Sequence, residues 1–151
     1  DVGCGYADFH GYLVLKEIEV KYTGIDVNAF FIDVVKKEQP GLKVHCESIT
    51  THSKKNIKYD WVIASGVFCF NEKEWEKAAY NKIKKMLLCC KRGVAINFLS
   101  SFFVRKKQDG FKHCYLEDII PIVEKINTPF TIRHDYVDND FTIYLFTRGE
   151  K

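Results

Sequence analysis

Asp1-Val2-Gly3-Cys4-Gly5-Tyr6-Ala7-Asp8 is the stretch whose reading decides the fold. Asp1 and Val2 read as the end of a strand, and Gly3 and Gly5 let the backbone turn tightly and approach a ligand without a Cβ in the way. A helix is expected over residues 8–19, with Asp8 in its first turn and Leu13, Leu15 and Ile18 apolar. Its N-terminal N–H groups would point at whatever lies above the turn. The first strand is expected to begin upstream of Asp1. On that reading residues 1–151 form a single domain lacking its opening strand, and a missing targeting signal says little.

Outward from this turn, strand and helix signals alternate. Lys21 to Asp26 reads as a short strand ending in a carboxylate, and Asn28 as the N-cap of a helix carrying Phe31, Ile32, Val34 and Val35. Pro40-Gly41 stops that helix, and 42–46 is the next strand. Residues 50–58 read as a polar surface loop, and 59–65 as an apolar strand of the doubly buried kind. Helical spacing returns over 72–90, with Lys91-Arg92-Gly93 as the expected stop. Strand 94–99 follows, then 100–114 without clear period, then a helix over 116–126 interrupted or kinked near Pro121. Residues 130–137 and 141–147 alternate around Asp138-Asn139-Asp140, which signals a β-hairpin. The fold expected is α/β, a Rossmann-like sandwich with a mostly parallel sheet and a C-terminal antiparallel hairpin.

The 151 residues are 46% hydrophobic and 28% charged, which excludes a disordered or fibrous chain. A net charge of +3 is too mild to announce a nucleic-acid or membrane-surface protein. No apolar run approaches the roughly 20 residues that span a bilayer. Six cysteines lack C-x-x-C spacing and several fall in apolar stretches, so no metal site is expected and the chain reads as reduced and cytoplasmic.

In such sheets the ligand sits beyond the carboxyl ends of the strands. Asp26 ends the second strand 21 residues after Gly5, where a carboxylate can accept both hydroxyls of a ribose. A dinucleotide site of the G-x-G-x-x-G kind would need glycine at position 8, where Asp8 stands, so NAD is disfavoured. A neutral or zwitterionic nucleoside cofactor tolerates that acid better.

Asp1-Val2-Gly3-Cys4-Gly5-Tyr6-Ala7 resembles the first motif of class I S-adenosylmethionine-dependent methyltransferases, D/E-x-G-x-G-x-G, with Ala7 replacing the third glycine. The resemblance covers essentially the whole chain. Tyr22-Thr23-Gly24-Ile25-Asp26 is similar to the family's second strand and ribose-binding acid, and Cys46-Glu47-Ser48-Ile49 stands where the family often has Gly-Asp and an apolar residue. Residues 59–68 are similar to its fourth strand and exit. Segments 97–101 and 133–136 are similar to those of small bacterial and phage members. The resemblance implies S-adenosyl-L-methionine as cofactor. It implies that Asp1, Gly3 and Gly5 hold the methionine end, Asp26 the ribose, and Val27 the adenine face. By the same carry-over, Glu47, Ser48 and Ile49 frame the base, while Ser65 and Gly66 face the sulfonium.

The acceptor is less legible. Ala64-Ser65-Gly66-Val67 lacks the Pro-Pro turn of amino methyltransferases acting on DNA bases or glutamine, and Cys69 reads as packing rather than a cytosine-attacking nucleophile. A small-molecule or peptide-like acceptor is expected, with nucleic acid disfavoured. Candidate general bases are His113 and Tyr115, at the end of the 100–114 loop, and His134, beside Asp135. Alternation would put His134 and Asp135 on opposite strand faces. Phe102 and Phe103 could wall an acceptor pocket or a partner interface, and Arg105-Lys106-Lys107 could attract an anionic acceptor or simply be solvated. Asn71 reads as a helix cap, and His10, His45 and His52 as incidental. A non-catalytic regulator or partner subunit that binds the same cofactor is the alternative, and oligomeric state stays open.

Overall fold

A computed structural model of the chain describes residues 1–102 and 109–148. Phe103 and the Arg105-Lys106-Lys107 cluster lie outside the described residues. Among the described residues, helices α1 (Asp8–Leu15), α2 (Ala29–Glu38), α3 (Ile49–His52), α4 (Trp75–Leu88) and α5 (Leu116–Ile126) accompany seven strands. These are β1 (Gly24–Asp26), β2 (Val44–Cys46), β3 (Tyr59–Ala64), β4 (Cys90–Ser100), β5 (His113–Cys114), β6 (Phe130–Arg133) and β7 (Asp140–Phe146). None of the helices is long and apolar enough to cross a membrane.

β1 pairs parallel with β2, and β3 with β4, while β4 also runs antiparallel to β7 and β7 to β6. β5 adds a short parallel pairing at the carboxyl end of β4. Val2 joins the two groups of strands by bridging Ile25 on one side and Ala64 on the other, both parallel. The sheet is therefore mixed. Parallel pairings join the strands from β2 through β5, and the longest register is the antiparallel β4–β7 ladder, from Gly93–Phe146 to Leu99–Asp140, to which the expected C-terminal hairpin belongs.

The main core lies where α4 and α5 cover β3, β4 and β7. α4 buries Trp75, Ala79, Ile83 and Met86, and α5 buries Ile119, Ile122 and Val123, one stripe each at helical spacing. They meet Val62, Val94, Ile96, Phe98, Phe141, Ile143 and Leu145 from the strands. A smaller cluster of Cys4, Ala7, Ile32, Val35 and Val44 seats α1 and α2 on the other side.

Several expected boundaries move, each for a local reason. The first helix ends at Leu15 rather than near residue 19, because Ile18 N–H bonds Leu13 O at 2.9 Å and Glu17 N–H bonds Val14 O at 3.0 Å. That is the Schellman pattern, with Glu17 rather than glycine in the left-handed position (φ 56°), so the sequence carries no stop signal there. Leu15 is consequently 78% exposed. The 50–58 loop contains α3, capped by Ser48 Oγ on the Thr51 N–H, and a 3-10 turn over Ser53–Lys55. α5 runs through Pro121 without interruption. Asn71 does not cap α4; it donates to the backbone of the 110–111 turn instead, with Nδ2 on Phe111 O at 3.3 Å. In the C-terminal hairpin β6 stops at Arg133, and 134–139 form the connection rather than 138–140 alone.

Gly93 is the most informative correction. It lies inside β4 rather than stopping a helix, and a Cβ there would sit 2.4 Å from Leu145 O and 3.0 Å from the Trp61 ring. Only glycine lets β7 approach so closely. Replacing Gly93 by alanine should therefore lower unfolding free energy by about 1–3 kcal/mol, measured by urea denaturation. Gly41→Ala, where added bulk meets open space, should cost less and serves as the control.

Candidate functional site

The carboxyl edge of the sheet gathers the glycine turn, Asp26 and the exit of β3. Gly3 adopts φ 70° and its α-carbon faces Val67, so a Cβ would meet Val67 Cγ2 at 2.5 Å. Gly5, in contrast, faces open space. Its N–H donates to Asp26 Oδ2 at 3.0 Å, while the Asn28 N–H donates to Asp26 Oδ1 at 2.8 Å. Two backbone donors from different segments thus fix the carboxylate at the lip of the turn. Each carboxylate oxygen retains acceptor capacity for a further hydroxyl. Asp1 is anchored in turn, its Oδ2 accepting from Tyr22 Oη at 2.6 Å. Val27 is 73% exposed just beyond Asp26. Ser65 and Gly66 are exposed at the end of β3, and Gly66 also faces open space.

In the Glu47-Ser48-Ile49 segment the side chains have local partners. Ile49 is buried in the core, Ser48 is committed to capping α3, and the Glu47 carboxylate turns toward α3. Glu47 Oε1 lies 2.7 Å from His52 Nδ1, and Lys55 Nζ lies 2.7 Å from both carboxylate oxygens. His52, read from the sequence as incidental, is buried, and its Nε2 meets Tyr59 Oη at 2.9 Å. Because Glu47 only accepts, His52 Nδ1 carries the hydrogen in that bond. Three side chains from α3 and the two flanking strands thereby form one satisfied polar chain. Sequence spacing offered no signal for it, since Glu47, His52 and Tyr59 share no common period. What remains of Glu47 near Asp26 is backbone, its N–H donating to Asp26 O at 2.9 Å.

The candidate bases divide. His113 points its Nδ1 at Ser100 O, 3.2 Å away, and its Nε2 is buried with no partner among the described residues. Tyr115 and His134 converge on Phe102, their ring centroids 5.4 and 5.8 Å from it. His134 does not pair with Asp135. That carboxylate is held by Arg133 through two bonds of 3.0 and 2.8 Å, while His134 Nε2 lies 3.3 Å from Asp138 O. Two further residues, Asn97 and Asp140, escaped the sequence reading. Asn97 Oδ1 accepts from the Gly66 N–H at 2.8 Å, and Asn97 Nδ2 donates to Asp140 Oδ2 at 3.0 Å. A run across the ends of β3, β4 and β7 is thus tied together beside the glycine turn's neighbour, Gly66.

Comparison with known proteins bears on this arrangement. The sequence pattern of a family described as a methyltransferase domain matches residues 1–88. A search of curated protein sequences found no match. Among solved structures, an S-adenosylmethionine-dependent methyltransferase from Archaeoglobus fulgidus superposes with TM-score 0.74 at 13% identity, over 97% of this chain and 84% of that one. Magnesium protoporphyrin IX methyltransferase from Synechocystis PCC 6803, solved with the cofactor bound, gives TM-score 0.68 at 13% identity over 95% of this chain. The present chain spans 66% of that enzyme's length. The plantazolicin methyltransferase, in complex with S-adenosylhomocysteine, gives 0.73 at 13% identity, over 98% of this chain and 75% of that one. At such identities the likeness is one of fold.

The Glu47 cluster gives a pH-dependent expectation. Burial pushes the Glu47 carboxyl up, yet hydrogen bonds from His52 and Lys55 outweigh it and hold the group below its ordinary 4.5. A lowered folded value contributes stability above the unfolded value and loses it as pH falls through the folded one. Glu47→Gln should therefore cost about 1–2 kcal/mol at pH 7 by urea denaturation, with the difference from the parent shrinking below about pH 4.5. An unchanged difference down to pH 3 would contradict the assignment.

Proposed function

The chain belongs to the methyltransferase-domain family, and from that premise we propose that it transfers a methyl group from S-adenosylmethionine to a small-molecule or peptide-like acceptor. The observation that carries this reading is the Asp26 carboxylate, fixed by the Gly5 and Asn28 N–H groups at the lip of an open glycine turn. The residues present fit such a cofactor. Gly5 and Gly66 leave space that a Cβ would fill, and Asp26 has acceptor capacity left on both oxygens.

On this reading Asp1, Gly3 and Gly5 hold the methionine end, Asp26 takes the two ribose hydroxyls, and exposed Val27 offers an apolar face to the adenine. Ser65 and Gly66 lie toward the sulfonium. When bound, the cofactor supplies an electrophilic methyl group, so the protein's principal task is alignment of the acceptor. Phe102, Tyr115 and His134 stand on the acceptor side. The proteins named for magnesium protoporphyrin IX and for plantazolicin among the structural neighbours lend support to a non-nucleic-acid acceptor.

Calorimetric titration tests the proposal. S-adenosylhomocysteine should bind saturably and NAD should not. Asp26→Ala should weaken binding by about 10- to 100-fold, as expected for losing hydrogen bonds to a charged group. A folded protein that binds neither compound would overturn the cofactor assignment. Tight binding without turnover on any acceptor would favour a binding subunit.

A further inference from the structure

Asp140 begins β7 and stands opposite Leu99 at the carboxyl end of β4, on the same sheet face as Asn97. Its Oδ2 receives the Asn97 amide, but its Oδ1 is buried and has no hydrogen-bond partner among the described residues. A buried carboxylate oxygen with no donor is unusual, and such an orphan at a ligand edge points to a group that arrives with the ligand. The same carboxylate is tied through Asn97 to Gly66, the residue placed toward the reacting methyl. His134, close enough to act on this carboxylate electrostatically, belongs to a cluster of flat rings. Phe102 is 5.4 Å from Tyr115 and 5.8 Å from His134, and His134 is 6.0 Å from Phe141.

We infer that Asp140 Oδ1 is the acceptor-binding atom of the site, taking a hydrogen bond from the O–H or N–H of a planar aromatic methyl acceptor seated against Phe102, Tyr115 and His134. The inference rests on the cofactor placement proposed above and names the substrate class for it. Orientation follows directly. The Gly66 N–H obliges Asn97 to present Oδ1 to it, which obliges Asn97 Nδ2 to face Asp140. Asp140 Oδ2 is thereby occupied, and Oδ1 is left for the acceptor's protic group. Burial pushes the Asp140 carboxyl up, opposed by the Asn97 hydrogen bond and the charge of His134. Cys69 and Tyr136 also sense this carboxylate electrostatically. A carboxylate so raised takes a proton from a protic partner more readily than an ordinary surface acid does.

The hydrogen-bond polarity makes the proposal testable without knowing the natural acceptor. In Asp140→Asn, Asn97 still donates, so the new amide must turn its oxygen toward Asn97 and its NH2 into the former Oδ1 position. The site changes from acceptor to donor at constant shape. Phenol, anisole and toluene are titrated as probes into protein saturated with S-adenosylhomocysteine, followed by NMR shifts of the Phe102 and His134 rings. The parent should bind phenol at least tenfold more tightly than toluene or anisole, and Asp140→Asn should lose that preference or favour anisole. Equal binding of phenol and toluene by the parent, or an unchanged phenol preference in Asp140→Asn, would overturn the inference. Calorimetry with S-adenosylhomocysteine on both proteins keeps the outcomes apart. Unchanged affinity leaves the cofactor reading intact whatever the probes do, while absence of binding removes both.

Discussion

Val2 carries the continuity of the sheet. Its N–H donates to Ile63 O at 2.8 Å, while Ile25 N–H donates to Asp1 O at 2.9 Å and Gly3 N–H to Ile25 O at 2.8 Å. Through these bonds one short segment joins the β1–β2 pair to β3 and the strands beyond it. At the carboxyl edge the chain turns at once, the Ala7 N–H closing on Cys4 O at 2.8 Å. Gly3 allows the turn by passing against Val67, and Gly5 places its N–H on Asp26. The geometry of the glycine turn, the carboxylate beside it and the seating of α1 all follow from where Val2 is held.

Two polar chains then flank this edge, and they differ in how fully they are satisfied. Glu47, His52, Lys55 and Tyr59 close on one another, joining α3 to the sheet. A closed network of this kind fixes a single arrangement of its elements. Gly66, Asn97 and Asp140 form a chain across three strands that stops at an oxygen unpaired among the described residues. The closed network lies toward the α3 side, and the open one lies beside the aromatic rings. On the proposed reading, stability and recognition are served by separate sets of polar residues, although both begin within a few residues of a strand's carboxyl end.

Local signals were sufficient at several points whose cause is local. Asn28 caps α2 as its side chain and position imply, its Oδ1 accepting from the Phe30 N–H at 3.0 Å. The apolar spacing of α4 and α5 places their buried stripes as expected, and the terminal strands pair antiparallel. Signals that depend on a distant partner misled. Gly93 after Lys91-Arg92 looks like a helix stop, yet it is glycine because β7 crosses against it 52 residues later in the chain, at Leu145. Glu47 carries no signal of either kind: His52, five residues on, takes its carboxylate only once α3 has formed.

By itself, therefore, the sequence determined the order of elements, the glycine turn with its paired acid 21 residues on, and the kind of ligand that such a pair accommodates. These depend on backbone permissiveness, capping and periodicity, all of which act over a few residues. Only the tertiary structure decided the order in which the strands lie, the engagement of Glu47 by His52 and Lys55, and the meeting of Asn97 with Asp140. The reason is physical. A hydrogen bond between residues 43 positions apart has no period and no composition, and it exists only once β4 and β7 lie side by side.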